Sequence, residues 1–235
     1  MREGKLHSGG HRIYKISTGI PCLDQLLQGG YETDVVTTIY GPSGSGKTNF
    51  CLIAATKMAE SGRKVLLIDT EGGIAIERIK QLSENYLEIL NKIIFFNPFT
   101  FAEQVEIFEQ LKTVISQQIG LIIVDSISML YRLELGKNEE VFEVNSALGK
   151  QIGCLVEISR RQKIPVLITN QVYTDFDNRT KVKMVGGDLL KYGSKCIIEL
   201  QKLDNGRILV VKKHRSLPET KEFYFKILNR GIEEA

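Results

Sequence analysis

The stretch YGPSGSGKTNF, Tyr40 to Phe50, decides the fold. It satisfies the pattern G-x-x-x-x-G-K-[ST] between an apolar β-rich run, VVTTIYG (35–41), and a helical segment running from Lys47 to Ser61, where Gly62 ends it. Strand, glycine turn and helix in that order make a phosphate cradle. Gly41, Pro42, Ser43, Gly44, Ser45 and Gly46 supply a backbone whose N–H groups turn inward, and the helix start, through Asn49, adds partial positive charge. Lys47 reaches the β- and γ-phosphates, and Thr48 offers a hydroxyl to Mg²⁺. A glycine turn that merely precedes a lysine is the plain alternative, and the flanking strand and helix speak against it. The expectation is a site for a nucleoside triphosphate and Mg²⁺.

Working outward, apolar runs alternate with helical periods. This predicts an α/β fold with a central, mainly parallel sheet and helices on both faces. KVLLID (64–69), KIIFFN (92–97), GLIIVDS (120–126) and IPVLITNQ (164–171) read as further strands. Helices are expected over Ile76–Glu84, Phe101–Gln118 and Glu139–Gln162. The period then changes. KCIIELQKL (195–203), RILVVKKH (207–214) and EFYFKIL (222–228) read as C-terminal antiparallel strands, the first two joined by a DNG turn. YTDFDNRTKVKMVGGD (173–188) carries neither period and reads as a long functional loop.

The strand ends carry the chemistry. Asp125, closing an all-apolar strand, is placed to hold Mg²⁺ beside Thr48; capping the next helix is the alternative. In IDTEGG (68–73), Glu71 is the candidate to polarise an attacking water, while Asp69 sits nearer the buried strand. Gln171 can sense a γ-phosphate by hydrogen bond, or be an ordinary polar strand end.

Composition narrows the classes. The 235 residues are 43% hydrophobic and 25% charged, enough for one α/β domain. No apolar run approaches the ~20 residues of a membrane helix, and the start lacks a signal-peptide core, so the expectation is a cytosolic address and no membrane. The four cysteines show no C-x-x-C pair and read as reduced thiols. Residues 179–215 hold ten Lys/Arg against Asp188, Glu199 and Asp204, so positive charge concentrates late in the chain. In the loop, Arg179, Lys181 and Lys183 suit phosphate contacts, and Tyr173 or Phe176 could stack on a base. VVKKHRS (210–216) adds Lys212, Lys213 and Arg215. Three fates are open to it: a cation inserted in trans into a neighbour's nucleotide site, a DNA backbone contact, or a solvated face.

Taken together these segments resemble the core of the RecA-like recombinases, specifically the archaeal RadA group. STGIPCLDQLLQGG (17–30), DTEGGIAIERI (69–79), ITNQV (168–172) and GGDLLKYGSKCIIEL (186–200) carry the likeness in order, over about residues 16–234. The resemblance implies that Glu71 is the water-activating glutamate, that Lys47 and Gln171 serve the reaction, and that Arg78 stacks on adenine. It also implies that Arg132 lies in a first DNA loop and that Gln171 couples nucleotide to a second, 173–187.

The chain departs from the pattern as well. Ile74-Ala75 stands where these recombinases carry Phe-Arg. Residues 1–15 read as a flexible basic leader, too short for a helix-hairpin-helix domain and without the F-x-x-A patch that links subunits. Residues 16–235 are the expected RecA-like ATPase domain. The implied function is that of a short accessory paralogue: a weak ATPase that binds ATP and DNA, single-stranded by preference, and assists the recombinase RadA, with a homo-oligomer open. A self-sufficient DNA-stimulated recombinase and a KaiC-type signalling ATPase are the rivals.

Overall fold

The computed structural model describes residues 14–136, 141–174, 182–217 and 221–235. In chain order the elements are β1 (Lys15–Ile16), α1 (Pro21–Leu26), β2 (Tyr31–Glu32), β3 (Val36–Tyr40), α2 (Lys47–Glu60), β4 (Lys64–Asp69), α3 (Ile76–Leu82), α4 (Tyr86–Lys92), β5 (Ile93–Phe96) and α5 (Phe101–Val114). They continue with β6 (Ile119–Asp125), α6 (Met129–Leu135), α7 (Val141–Gln162), β7 (Val166–Asn170), β8 (Val172–Thr174), β9 (Val182–Met184), α8 (Gly187–Gly193), β10 (Ser194–Leu203), β11 (Gly206–His214), β12 (Lys221–Leu228) and β13 (Gly231–Glu234).

One sheet of nine strands, ordered β13-β12-β11-β10-β3-β7-β6-β4-β5, organises the chain. β5, β4, β6, β7, β3 and β10 run parallel, and β11, β12 and β13 extend the sheet antiparallel. This is the mainly parallel central sheet with C-terminal antiparallel strands expected from the sequence. β6 is buried at every position because both of its faces are covered. Its side chains alternate: Leu121 and Ile123 join the core under α2, Ile122 and Val124 the core under α5 and α7. Truncating one of these to alanine costs about 2–5 kcal/mol.

The first core takes in Phe50, Ile79, Leu200 and Phe225, so the C-terminal strands pack against the helix that follows the glycine loop. Phe50 and Phe225 meet edge to face, their ring centroids 5.3 Å apart. The second core holds Phe108, Leu111, Leu148, Ile152 and Leu155. α5 is started by Thr100, whose side chain accepts from Glu103 N while the Glu103 carboxylate accepts from Phe99 N.

Several boundaries differ from the sequence expectation. α5 stops at Val114 rather than Gln118, and its buried face includes Gln104, which donates to Gln151 on α7 at 2.6 Å. An amide pair buried between two helices breaks the apolar period that would have placed Gln104 inward. The 173–188 stretch is not wholly irregular: β8 and β9 pair antiparallel at its ends, and α8 begins at Gly187. β1 pairs with β2, Lys15 opposite Glu32, so Lys15 is part of the folded body.

Candidate functional site

The glycine loop leaves β3 at Tyr40 and enters α2 at Lys47. Gly44 and Gly46 adopt φ of +71° and +110°, and a Cβ at Gly46 would stand 2.8 Å from Ile227 Cδ1. A Cβ at Gly41 would stand 2.3 Å from Leu200 O. The motif's glycines are thus demanded by conformation and by close approach to the C-terminal strands. Lys47 is buried, its Nζ donating to Gly41 O at 2.9 Å and Pro42 O at 3.1 Å. Burial pulls its pKa down, against the opposing pull of Glu71 and Asp125. The Ser45 hydroxyl is buried in the loop without a hydrogen-bond partner.

Across the loop, Thr48 Oγ1 donates to Asp125 Oδ2 at 2.7 Å, and Thr169 donates to Oδ1. Burial raises the Asp125 pKa; the two hydroxyls lower it, and the nearby charges of Glu71 and Asp69 raise it again. Asp69 spends its oxygens on backbone, accepting from Glu71 N, Gly72 N and Ile74 N at 3.1, 2.9 and 3.3 Å. Those bonds fix the turn that carries Glu71 outward. Glu71 Oε1 then accepts from Gln171 Nε2 at 2.9 Å. Lys47, Thr48, Glu71, Gln171 and Arg207 line one cavity of about 420 Å³ with Ser43, Gly44, Gly46, Asn49 and Ile227.

The residues present fit a triphosphate with a hard divalent cation. A glycine loop with Gly44 and Gly46 at positive φ, and a buried lysine lining the cavity, suit phosphate oxygens. A hydroxyl and a carboxylate in contact suit an oxygen-preferring ion. A larger cavity, about 1040 Å³, lies at the opposite ends of the strands, but its lining of Asp34, Glu157, Arg160, Lys163, Lys195 and Arg215 lacks such a cradle.

Next to Gln171, Asn170 is fully buried and joins two segments: Ser128 donates to its Oδ1, and its Nδ2 donates to Val185 O at 2.9 Å. The approach to α6 and the return from β9 are therefore tied to the residue before Gln171. Arg132 stands exposed on α6. Tyr173, 45% exposed, and Phe142, 83% exposed, line a groove of about 590 Å³ with Met184 and Gly186. Lys183 belongs to β9, whereas Arg179, Lys181 and Phe176 lie outside the described residues.

Arg78 donates to Gln81 Oε1 at 2.7 Å and to Asn229 O at 2.9 Å, while its Nε and Nη2 are buried without partners. The basic cluster at 212–215 is not brought to this chain's own glycine loop. β11 runs antiparallel to β10, which places His214 opposite Cys196 and Arg207 opposite Lys202, beside the loop. Arg215 binds Glu32 at 2.5 Å and Asp34 at 2.5 Å, Lys212 pairs with Glu199 at 3.4 Å, and Lys213 donates to Lys191 O at 2.6 Å. Sequence reasoning passed over Arg207, Thr169 and Asn170. The last two stand inside the ITNQV segment, and only Arg207 had no local signal.

The chain matches the Rad51 family over residues 10–235. It belongs to that family. This Rad51-family chain is 44% identical over 218 residues to the DNA repair and recombination protein RadB of Methanobrevibacter smithii, covering 89% of this chain and 92% of that one. It is 42% identical over 214 residues to the RadB of Methanocaldococcus jannaschii, covering 90% and 98%. A crystal structure of the RadB recombinase superposes with a TM-score of 0.80 at 37% identity, over 94% of this chain and 99% of that one. The resemblance read from the sequence, and the RecA-like fold it implied, hold. Among the described residues no helix is long and apolar enough to cross a membrane.

Proposed function

We propose that this Rad51-family chain is an ATP- and DNA-binding accessory protein of homologous recombination and DNA repair, a weak cytoplasmic ATPase that assists the recombinase RadA. The observation that carries the reading is the hydrogen bond from Gln171 to Glu71. It joins the turn after β4, where water would be activated, to the strand end that opens the β8–β9 segment. Glu71 orients water and accepts its proton; Lys47 and the loop amides hold the phosphates; Thr48 and Asp125 hold Mg²⁺, which neutralises phosphate charge when bound. Arg78 flanks the base. Gln171 and Asn170 pass the state of the site to Arg132 on one side and to the loop carrying Arg179, Lys181 and Lys183 on the other.

The paired state of Lys212, Lys213 and Arg215 supports slow turnover, because reaching a neighbour's site would break contacts within their own chain. Pull-down with RadA combined with light scattering, with and without ATP, tests the assignment. A complex with RadA that ATP strengthens is expected. A large DNA-dependent rise in phosphate release by the chain alone, abolished by Glu71→Gln, would instead make it a self-sufficient enzyme.

A further inference from the structure

Lys202 and Arg207 face each other across the turn of the β10–β11 hairpin, where Leu203 pairs with Gly206 and Lys202 with Arg207. β10 is added directly beside β3, Glu199 opposite Tyr40, and this carries the hairpin over the tip of the glycine loop. Arg207 Nη2 and Nε reach Gly44 O at 3.3 and 3.4 Å. Lys202 Nζ stands 3.6 Å from where a Cβ on Gly44 would be. Arg207 also lines the cavity that holds Lys47, Thr48, Glu71 and Gln171.

The charges here are unbalanced. At the other end of β11, Lys212 and Arg215 are matched by Glu199, Glu32 and Asp34. Among the described residues, neither Lys202 nor Arg207 has a carboxylate at ion-pair distance; Arg207's protein partner is one neutral carbonyl, at the long end of hydrogen-bond length. Like charges directly opposite on paired strands repel. The arrangement costs stability unless an anion lies between them, and the loop beneath is built to hold one.

We propose that Arg207 and Lys202 are triphosphate-binding residues, supplied by the chain's own hairpin to the glycine-loop site. They let one subunit grip the phosphates without a cation from a neighbour. The inference rests on the reading of Gly41–Thr48 as an ATP site. Lys47 serves the phosphates from the helix side, and Arg207 with Lys202 from the loop-tip side. Their contribution therefore grows with the number of phosphates on the ligand.

Competition against an ATP carrying a fluorescent ribose label measures this, with ATP, ADP and AMP as competitors. Wild type, Arg207→Gln, Lys202→Gln, the double variant and Arg207→Lys are compared. Arg207→Gln is expected to weaken ATP about tenfold, ADP less and AMP least. The double variant falls further, and Arg207→Lys recovers most of the loss. ATP affinity unchanged in Arg207→Gln and in the double variant would overturn the inference while leaving the ATP site standing. An equal loss for all three nucleotides would also overturn it, since that marks a brace of the loop. Wild type failing to bind ATP would remove the inference together with the reading beneath it.

Discussion

Gln171 Nε2 lies 2.9 Å from Glu71 Oε1, so the turn after β4 and the strand end that leads into β8 share a hydrogen bond. The two residues are a hundred positions apart in sequence, and β4 and β7 are separated in the sheet by β6. A ligand that draws either side chain toward itself changes what the other can contact. That is the physical content of the nucleotide switch proposed above.

Chemistry and switching separate at Glu71. Glu71→Gln keeps an amide oxygen for Gln171 but removes the carboxylate proposed as the base. Phosphate release should fall about 10²-fold or more, with nucleotide affinity retained, as single-turnover kinetics and equilibrium binding will show.

Asp125→Asn should stabilise the fold while impairing the site. Burial, the main cause, places the folded-state pKa of Asp125 above its ordinary value. For such a group the native state holds the proton more tightly. Its contribution to stability is fully present below the ordinary carboxylate range and is lost as pH rises through the folded value. The amide removes that decline, so the variant melts higher at neutral pH, by about 2–4 °C per kcal/mol recovered, and the gain shrinks at acid pH. Divalent-dependent nucleotide binding is lost in the same variant. Thermal scans across pH, paired with binding in Mg²⁺, check both halves.

Arg215 has the opposite sign. Its hydrogen bond holds the Asp34 carboxyl below the ordinary value. Asp34 therefore contributes stability above its unfolded pKa and loses it as pH falls through the lower folded value. Arg215→Gln also takes the charged partner from Glu32, which is 2% exposed and keeps only Ser216 Oγ at 3.4 Å and His214 Nε2 at 3.9 Å. The expected cost is about 2–3 kcal/mol, under the full buried-pair range because Arg215 remains partly exposed. Denaturant titrations should show it at pH 7, with a flatter acid limb below about pH 4.

Single-stranded DNA retention should depend on Tyr173 and Arg132 in different ways. Tyr173→Ala removes a stacking face, about 1–3 kcal/mol per base, with little change in salt dependence. Arg132→Ala should instead reduce the slope of log affinity against log salt by about one phosphate contact.

The legible parts of the fold were those with strong local signals. The apolar run into GPSGSGKT gave β3 and α2, the unbroken apolar stretch gave β6, and the DNG turn gave the β10–β11 hairpin. What escaped was short or set by distant packing. α4, α6 and α8 have seven residues each, too few for a helical period to stand out. Arg207 looks like any charge beside a turn until β10 is laid next to β3. Glu71, Gln171, Thr48 and Asp125 were legible because each follows a buried strand or the glycine loop. Their mutual distances were not, since these depend on the order β3-β7-β6-β4 across the sheet.

The central claim is that nucleotide in the glycine-loop site sets DNA affinity through Gln171. The direct measurement is the affinity for single-stranded DNA with and without a non-hydrolysable ATP analogue, in wild type and in Gln171→Ala. The account predicts tightening by the analogue of about 5-fold or more in wild type, and none in Gln171→Ala although the variant still binds the analogue. Equal tightening in both proteins, or none in wild type, would contradict it.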